Sequence, residues 1–206
     1  MIKRLTDIMG AVIGLLLLSP FLLIVAVSIK LDSPGPVLFC QERIGRRFMP
    51  FSIYKFRTMA AGRSEEGLSI TSDRDARITR MGRFLRATKL DELPQLLNVL
   101  TGDMSIVGPR PEVRRYVEMF RRDYEELLAI RPGMTDLASL KYRDEGALLA
   151  CAEDPEAVYI SRILPDKIQL SKSYLQQSSL LFDLSLVART LLNLAGSVKK
   201  QATRVG

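Results

Sequence analysis

Two adjacent carboxylates, Asp91 and Glu92, are the residues of this chain best suited to chemistry. They open the stretch KLDELPQLLNVLTGDMSIVGPRP, which ends in the run Pro109-Arg110-Pro111. Prolines on both sides restrict the backbone of the arginine, and a guanidinium can bind two phosphate oxygens at once. An acidic pair and a fixed arginine on one stretch therefore suit chemistry on a phosphate.

A purely structural interpretation of this stretch is also open. Asp91 can serve as the N-cap of a short leucine-rich helix that has Pro94 in its first turn. Gly102 would then end that helix, because glycine readily takes the left-handed conformation needed there. The pattern alone does not separate a structural carboxylate from a reactive one.

The composition limits the kinds of catalytic site and partner that the chain can have. The chain has 206 residues, is 47% hydrophobic and carries a net charge of +7, which favours an anionic partner such as nucleic acid, anionic lipid or a phosphorylated substrate. It has no histidine, so Ser-His-Asp and Cys-His nucleophiles and HExxH zinc sites are excluded. Any general acid or base must be Asp, Glu, Lys, Tyr or Cys. Two distant cysteines, Cys40 and Cys151, make no disulfide framework and favour a reducing compartment.

The uncharged run 8–29 indicates how the chain associates with a membrane. As a straight helix it would be about 33 Å long, enough to cross a bilayer. A cleaved signal peptide, a kinked spanning helix and a re-entrant helix-break-helix are all compatible with it. Ser19-Pro20 divides the run, and the Ser19 hydroxyl can bond a carbonyl that Pro20 leaves without a donor. Basic residues flank both ends, which favours both ends on the cytoplasmic side.

The rest of the chain predicts an α+β domain. Alternating residues predict a small β-hairpin of strands 37–44 and 51–59, and the polar residues 60–73 predict a mobile loop. Amphipathic patterns predict a helix from Pro111 to about residue 129. Later helical segments are one within 134–164 that ends before Pro165, and one within 167–200 that lies in the membrane interface or, alternatively, in the core.

A cation recurs at every third position from Arg74 to Lys89. In a helix such a row spirals around the axis and does not form one face. Most of these side chains are therefore expected to meet solvent or lipid headgroups. Arg86, close in sequence to the acidic pair, is the one that we place in the site.

Several motifs along the chain carry a family resemblance. They are Ser19-Pro20 in the apolar run, IYKFRTM at 53–59, GRFLR at 82–86, LDELPQ at 90–95, NVL at 98–100, GDMS at 102–105, VGPRP at 107–111 and RPG at 131–133. Together they resemble the bacterial sugar transferases, the small monotopic phosphoglycosyl transferases. The motifs run nearly from end to end, which makes the resemblance highly specific.

The resemblance implies a monotopic membrane enzyme on the cytoplasmic face of a bacterial inner membrane. Its re-entrant helix would cover residues 1–31, and a catalytic domain with interfacial helices would cover 32–206. Members of the family transfer a sugar phosphate from a UDP-sugar to a polyprenyl phosphate such as undecaprenyl phosphate, and they release UMP through a covalent aspartyl-phosphosugar. The partners implied are thus the donor, the acceptor lipid and the phospholipid membrane, and a homo-oligomer stays open.

The family pattern also implies roles for individual residues. Asp91 matches the nucleophile and Glu92 its partner carboxylate, and both would hold Mg²⁺. Lys55, Arg86 and Arg110 match essential basic positions, with the last one set between Pro109 and Pro111. Attack of a carboxylate on a diphosphate brings anions together, so cations and a divalent metal are what that chemistry needs.

The chain departs from the commoner family pattern after Thr135. Only Arg143 still matches that pattern. The departure puts the identity of the sugar in doubt but not the reaction. A non-catalytic membrane scaffold of a glycan assembly complex is the alternative function. A nucleic-acid partner is not expected, because net charge alone suggests it and no recognition motif is present.

Overall fold

The computed structural model describes residues 2–60 and 75–205, with side chains as far as residue 197. The fold is a mostly helical α+β arrangement with two small sheets. The strands are β1 (Leu38–Ile44), β2 (Pro50–Phe56), β3 (Ser105–Val107) and β4 (Gly133–Thr135). The helices are α1 (Ile2–Asp32), α2 (Arg80–Thr88), α3 (Gln95–Thr101), α4 (Arg114–Met119), α5 (Arg121–Leu127), α6 (Leu137–Lys141), α7 (Glu145–Leu149), α8 (Pro155–Val158), α9 (Leu164–Gln177) and α10 (Leu180–Val205).

The apolar run forms one helix, α1, which continues through Pro20. The prediction of two helices separated by a break at Ser19-Pro20 is therefore wrong at the level of secondary structure. The reason is local. Pro20 cannot donate to the carbonyl of Leu16, four residues earlier, and the Ser19 hydroxyl donates to that carbonyl instead (2.9 Å). The predicted role of Ser19 as a substitute donor is confirmed.

Both halves of α1 pack against the rest of the chain. In the first half, Ala11 is buried with Leu96 and Val99 of α3. In the second half, Val25 and Ile29 are buried in another apolar cluster, beside α2 and β2. Burial of apolar side chains at both places removes them from solvent and fixes the helix along its length.

Much of the apolar surface of α1 nevertheless stays exposed. Leu16, Leu17 and Leu23 are each at least 67% exposed. Among the described residues, two helices are long and apolar enough to cross a membrane: α1, with 11% of its most apolar window buried, and the 180–197 part of α10, with 6% buried. So large an exposed apolar area is typical of contact with lipid.

The predicted β-hairpin is confirmed. β1 and β2 pair antiparallel, from Leu38 opposite Phe56 to Ile44 opposite Pro50. The second strand is shorter than predicted, and Met59 forms only an isolated bridge to Ile78. Residues 61–73 of the predicted mobile loop lie outside the described part of the chain.

A parallel contact that the sequence did not suggest joins β3 to β4. Gly108, which follows β3, and Gly133, the first residue of β4, approach so closely that a β-carbon on Gly133 would lie 2.0 Å from the Gly108 nitrogen. The Gly133 amide also donates to the Pro109 carbonyl (2.9 Å). These contacts fix the backbone that leads into Arg110.

The second half of the chain differs from the prediction in three places, the first being that the stretch 134–164 contains three short helices, α6, α7 and α8, where one was expected. The helix expected up to residue 129 is two helices, α4 and α5, because the backbone at Phe120 leaves the helical region (φ −115°, ψ 35°). Pro165 does not follow a helix end but lies in the first turn of α9, which a π-helical segment, Tyr159–Ile163, precedes directly. The final apolar segment is the long helix α10, as predicted.

Candidate active site

The two carboxylates lie on a tight turn between α2 and α3. α2 ends at Lys89, whose backbone is left-handed (φ 60°, ψ 17°). A single 3₁₀ turn, Leu90–Glu92, follows and leads into α3. Asp91 is therefore not the N-cap of α3, a position that Pro94 holds without a side-chain cap. Gly102 ends α3 with a φ of 97°, as predicted.

Glu92 is bound on two sides by cations. Its carboxylate accepts from both terminal nitrogens of Arg110 (Nη1 to Oε2, 3.0 Å) and from Lys55 Nζ (3.0 Å). Burial would raise the Glu92 pKa, but these two cations hold that pKa well below its usual range. The carboxylate raises the Arg110 pKa in turn. Glu92 is thus ionised and already neutralised by its neighbours.

Asp91, in contrast, is not bound by cations of the described chain. The residue is only 8% exposed, and its Oδ1 has no hydrogen-bond partner within residues 2–60 and 75–197. Burial, and then the charge of Glu92, raise the Asp91 pKa to about 6, while Lys55, Lys89 and Arg86 oppose that rise. A carboxylate with an unused oxygen and a raised pKa is ionised at neutral pH and reactive toward an electrophile such as phosphorus.

The elements around the pair hold its cations in place. Asn98 of α3 accepts from the Tyr54 amide (3.0 Å) and donates to the Ser52 carbonyl (2.8 Å), so it ties α3 to the strand that carries Lys55. Glu112, just after the Pro109-Arg110-Pro111 run, accepts from Arg43 (2.7 Å) and from the Tyr159 hydroxyl (2.6 Å). Buried, fully bonded side chains of this kind keep charged groups in register.

A basic cleft of about 160 Å³ opens beside the turn. Its charged lining residues are four cations and two carboxylates: Lys89, Arg110, Arg143, Lys167, Glu92 and Glu145. Its other wall comes from α6 and α10, with Ser139, Tyr142, Thr190 and Asn193 among its side chains. The excess of cations in the cleft suits a phosphate group.

Only some of the predicted site residues line the cleft, and Asp91 is not among its lining residues. Glu92, Arg110 and Arg143 line the cleft, while Lys55 joins it through Glu92. Arg86 is in the last turn of α2 and lies close enough to lower the Asp91 pKa. Pro109 and Pro111 are buried and fix the Arg110 backbone. Ser19 and Pro20 lie in α1 and do not line the cleft.

Sequence reasoning missed three contributors to the cleft. Lys167 and the α10 residues lie far along the chain from the acidic pair, and no local pattern links them to it. Lys89 was part of the visible row of cations, but its left-handed backbone was not foreseeable from that row. A lysine two residues before an acidic pair was the one signal available.

The acidic pair can fit a metal only together with a ligand. Within the described ranges, no cluster of three Asp, Glu, His or Cys side chains could hold a metal ion. Mg²⁺, however, is commonly bound by one or two carboxylates plus substrate phosphates and water. The unpartnered Oδ1 of Asp91 beside Glu92 matches that donor set.

Comparisons with known proteins agree with this geometry. The chain is 42% identical over 193 residues to the UDP-N-acetylgalactosamine-undecaprenyl-phosphate N-acetylgalactosaminephosphotransferase of Aeromonas hydrophila, covering 92% of this chain and 43% of the relative. It is 37% identical over 206 residues to the UDP-glucose:undecaprenyl-phosphate glucose-1-phosphate transferase of Escherichia coli K12, covering 98% and 41%. A Caulobacter vibrioides protein named for the same glucose reaction is 40% identical, covering 93% and 69%.

The chain spans about two fifths of the length of the first two relatives, as the shares of 43% and 41% show. The names of the relatives specify different sugars, glucose and N-acetylgalactosamine. The model of the bacterial sugar transferase family matches residues 1–197. With its apolar helix α1 and a family match over almost its whole length, the chain is a membrane-associated member of the bacterial sugar transferase family.

Proposed function

We propose that this chain is a phosphoglycosyl transferase that moves a sugar 1-phosphate from a UDP-sugar to a polyprenyl phosphate and releases UMP. The observation that carries the proposal is the contrast between two adjacent carboxylates beside a basic cleft. Glu92 is neutralised by Arg110 and Lys55, while Asp91 keeps an unpartnered buried oxygen within the described chain. The names of the relatives, which specify undecaprenyl phosphate and UDP-sugars, support the substrate class.

The reaction would proceed in two displacements at one phosphorus. In the first, an Asp91 oxygen attacks the phosphorus that carries the sugar, and the bond to the bridging oxygen breaks. The electron pair of that bond leaves on UMP, and the sugar phosphate stays on Asp91. In the second, an oxygen of the polyprenyl phosphate attacks the same phosphorus and frees the Asp91 carboxylate. A covalent intermediate lets one site serve a soluble donor and a lipid acceptor in turn.

The cations of the site would position and neutralise the phosphates. Arg110 and Lys55 are locked by Glu92 and cannot swing away from the pair. Fixed cations need little reorganisation when charge moves, which is where most catalysis of phosphoryl transfer comes from. Mg²⁺ is the metal that we expect Asp91 and Glu92 to hold together with substrate, and when bound it would neutralise phosphate charge.

We further propose that α1 is re-entrant and that both of its ends lie on the cytoplasmic face of the inner membrane. At its start, Asp7 accepts from the Ile106 amide (3.0 Å). At its end, Asp32 accepts from the Met81 amide (3.0 Å). Since Ile106 and Met81 belong to the same proposed domain of residues 32–206, a bilayer between the two ends of α1 would have to pass through that domain.

Cysteine labelling tests this topology. Ile2 and Leu31 are 70% and 84% exposed, so Ile2→Cys and Leu31→Cys can each be introduced after the exposed Cys40 and Cys151 have been replaced by serine. We expect both positions to be protected from an impermeant thiol reagent in intact cells and to react in inverted vesicles. Protection of one position only would refute the re-entrant path.

The reaction is tested by UMP release from purified protein with Mg²⁺, undecaprenyl phosphate and a panel that includes UDP-glucose and UDP-N-acetylgalactosamine. Without acceptor, we expect at most one UMP per chain and a gain in protein mass equal to the sugar phosphate, located on Asp91. With acceptor, release should turn over, and EDTA should stop it.

One variant and one control test whether Asp91 is the nucleophile. Asp91→Asn should abolish both the burst and the turnover, whereas Glu125→Gln, which removes an exposed carboxylate of α5, should change neither. Turnover by Asp91→Asn would refute the nucleophile. If wild-type protein releases no UMP from any donor, the non-catalytic scaffold becomes the better explanation.

A further inference from the structure

Lys89 combines a constrained backbone with a position in the cleft. It is one of three non-glycine residues in the described chain with a positive φ, the others being Arg47 and Phe48. A left-handed backbone is costly for residues with a β-carbon, and such residues cluster at functional sites. Its amide donates to the Arg86 carbonyl (3.2 Å), so Lys89 is the corner where the chain leaves α2 and turns toward the acidic pair.

The side chain of Lys89 differs from those of the other cations that line the cleft. Arg110 is bound by Glu92, Lys167 by Glu145 (2.7 Å), and Arg143 donates to the Ser197 hydroxyl. Within residues 2–60 and 75–197, the half-buried Lys89 side chain has no hydrogen-bond or ion-pair partner. Both carboxylates of the cleft are thus engaged, and Lys89 is left without one.

The position of Lys89 also relates it to the reactive carboxylate. It stands two residues before Asp91, and its charge lowers the pKa of both Asp91 and Glu92. An ammonium near two carboxylates but bonded to neither is available to a third anion. A lysine ammonium binds phosphate oxygens as a compact point charge.

We propose that Lys89 binds the diphosphate of the sugar-nucleotide donor during attack by Asp91. This inference rests on the proposed function, since it assigns a further substrate-binding residue to the same reaction. In that step the bond from an Asp91 oxygen to phosphorus forms, the bond to the bridging oxygen breaks, and its electron pair leaves on UMP. The Lys89 ammonium offsets the negative charge of the diphosphate as the anionic carboxylate approaches it.

The test is Lys89→Asn, because asparagine tolerates the left-handed backbone better than most residues and removes the charge. The matched control is Arg47→Asn, which makes the same kind of change at a left-handed backbone (φ 56°), at an exposed residue outside the cleft. UMP release is measured first without acceptor, over a range of donor concentrations. Transfer of the sugar phosphate from the preformed covalent adduct to undecaprenyl phosphate is measured separately.

We expect Lys89→Asn to lower the second-order rate constant of the donor step by about 10- to 100-fold, as for loss of a hydrogen bond to a charged group. Lys89→Arg should recover part of that loss, and Arg47→Asn should lose less than about twofold. Discharge of the adduct should be unchanged. A purely structural role for Lys89 would instead slow the donor step and the discharge of the adduct alike.

Three results would overturn the proposal. One is an unchanged donor step in Lys89→Asn while wild type is active. The second is a loss confined to discharge, which would assign Lys89 to the phosphate of the acceptor lipid. The third is an equal loss in Arg47→Asn. Failure of the proposed function looks different, because wild type itself would then release no UMP.

Discussion

Removing the charge of Asp91 should stabilise the folded protein at neutral pH while it abolishes activity. The Asp91 pKa rises from an ordinary 3.8 to about 6 in the folded chain, mainly because the carboxyl is buried. A rise of that size corresponds to ~3 kcal/mol in favour of the protonated form. The value already includes the attraction of the nearby cations, because they act on the same pKa. Asparagine resembles the protonated acid, so Asp91→Asn should recover about that free energy of unfolding.

The pH dependence has a definite sign. Below pH 3.8, Asp91 is protonated in both the folded and the unfolded chain, and its charge costs nothing. Between pH 3.8 and 6 the unfolded chain loses the proton first, so the folded wild type loses stability as the pH rises. The advantage of Asp91→Asn over wild type should therefore be small near pH 4, grow up to pH 6 and stay constant above it.

Thermal unfolding followed by far-ultraviolet circular dichroism in detergent measures this difference. For a chain of this size, ~3 kcal/mol corresponds to a rise in thermal midpoint of roughly 6–12 °C at pH 7.5. Glu125→Gln is the control, since it removes an exposed carboxylate and should shift the midpoint by little at any pH. An Asp91→Asn midpoint equal to or below that of wild type at pH 7.5 would refute the account of Asp91 as a destabilised, buried charge. So would an advantage that is as large at pH 4.

Three further outcomes are expected. The donor step of the wild type should slow about tenfold from pH 7 to pH 5, because only ionised Asp91, with its pKa of about 6, attacks phosphorus; a profile flat over this range would contradict it. Gly133→Ala should lower the thermal midpoint and the activity, since its β-carbon would meet the Gly108 backbone at 2.0 Å, whereas Gly196→Ala, with nothing within 4 Å, should not. Gln95→Met should raise stability by ~1 kcal/mol in the same melts, because both amide atoms of this fully buried side chain lack partners in the described chain; a lower midpoint would indicate a bound water or ligand.

Local features of the fold were predictable because their causes lie within a few residues. The hairpin follows from alternating side chains. The end of α3 follows from the conformational freedom of Gly102, whose φ is 97°. The bond from the Ser19 hydroxyl to the Leu16 carbonyl follows from the chemistry of Pro20. In each case the stretch that forms the element also contains the reason for it.

The walls of the cleft were not predictable, because their causes lie between distant segments. β3 and β4 have three residues each, too few for any periodic signal, and their pairing requires the close approach of Gly108 to Gly133, which lie far apart in the chain. α10 places Thr190 and Asn193 at the cleft, yet its sequence is equally compatible with a membrane helix. Segment pairing of this kind depends on tertiary packing, which local propensity does not encode.

The different environments of Asp91 and Glu92 also follow from the geometry of the backbone. Two carboxylates adjacent in sequence are chemically near-equivalent, and successive residues of a 3₁₀ turn point about 120° apart. At that angle the Glu92 side chain contacts Arg110 and Lys55, whereas Asp91 keeps an oxygen that no described group binds. Had the same cations bonded to Asp91, they would have lowered its pKa and weakened it as a nucleophile. In the proposed reaction, Glu92 would therefore keep the cations close to the reacting phosphate and away from the Asp91 carboxylate.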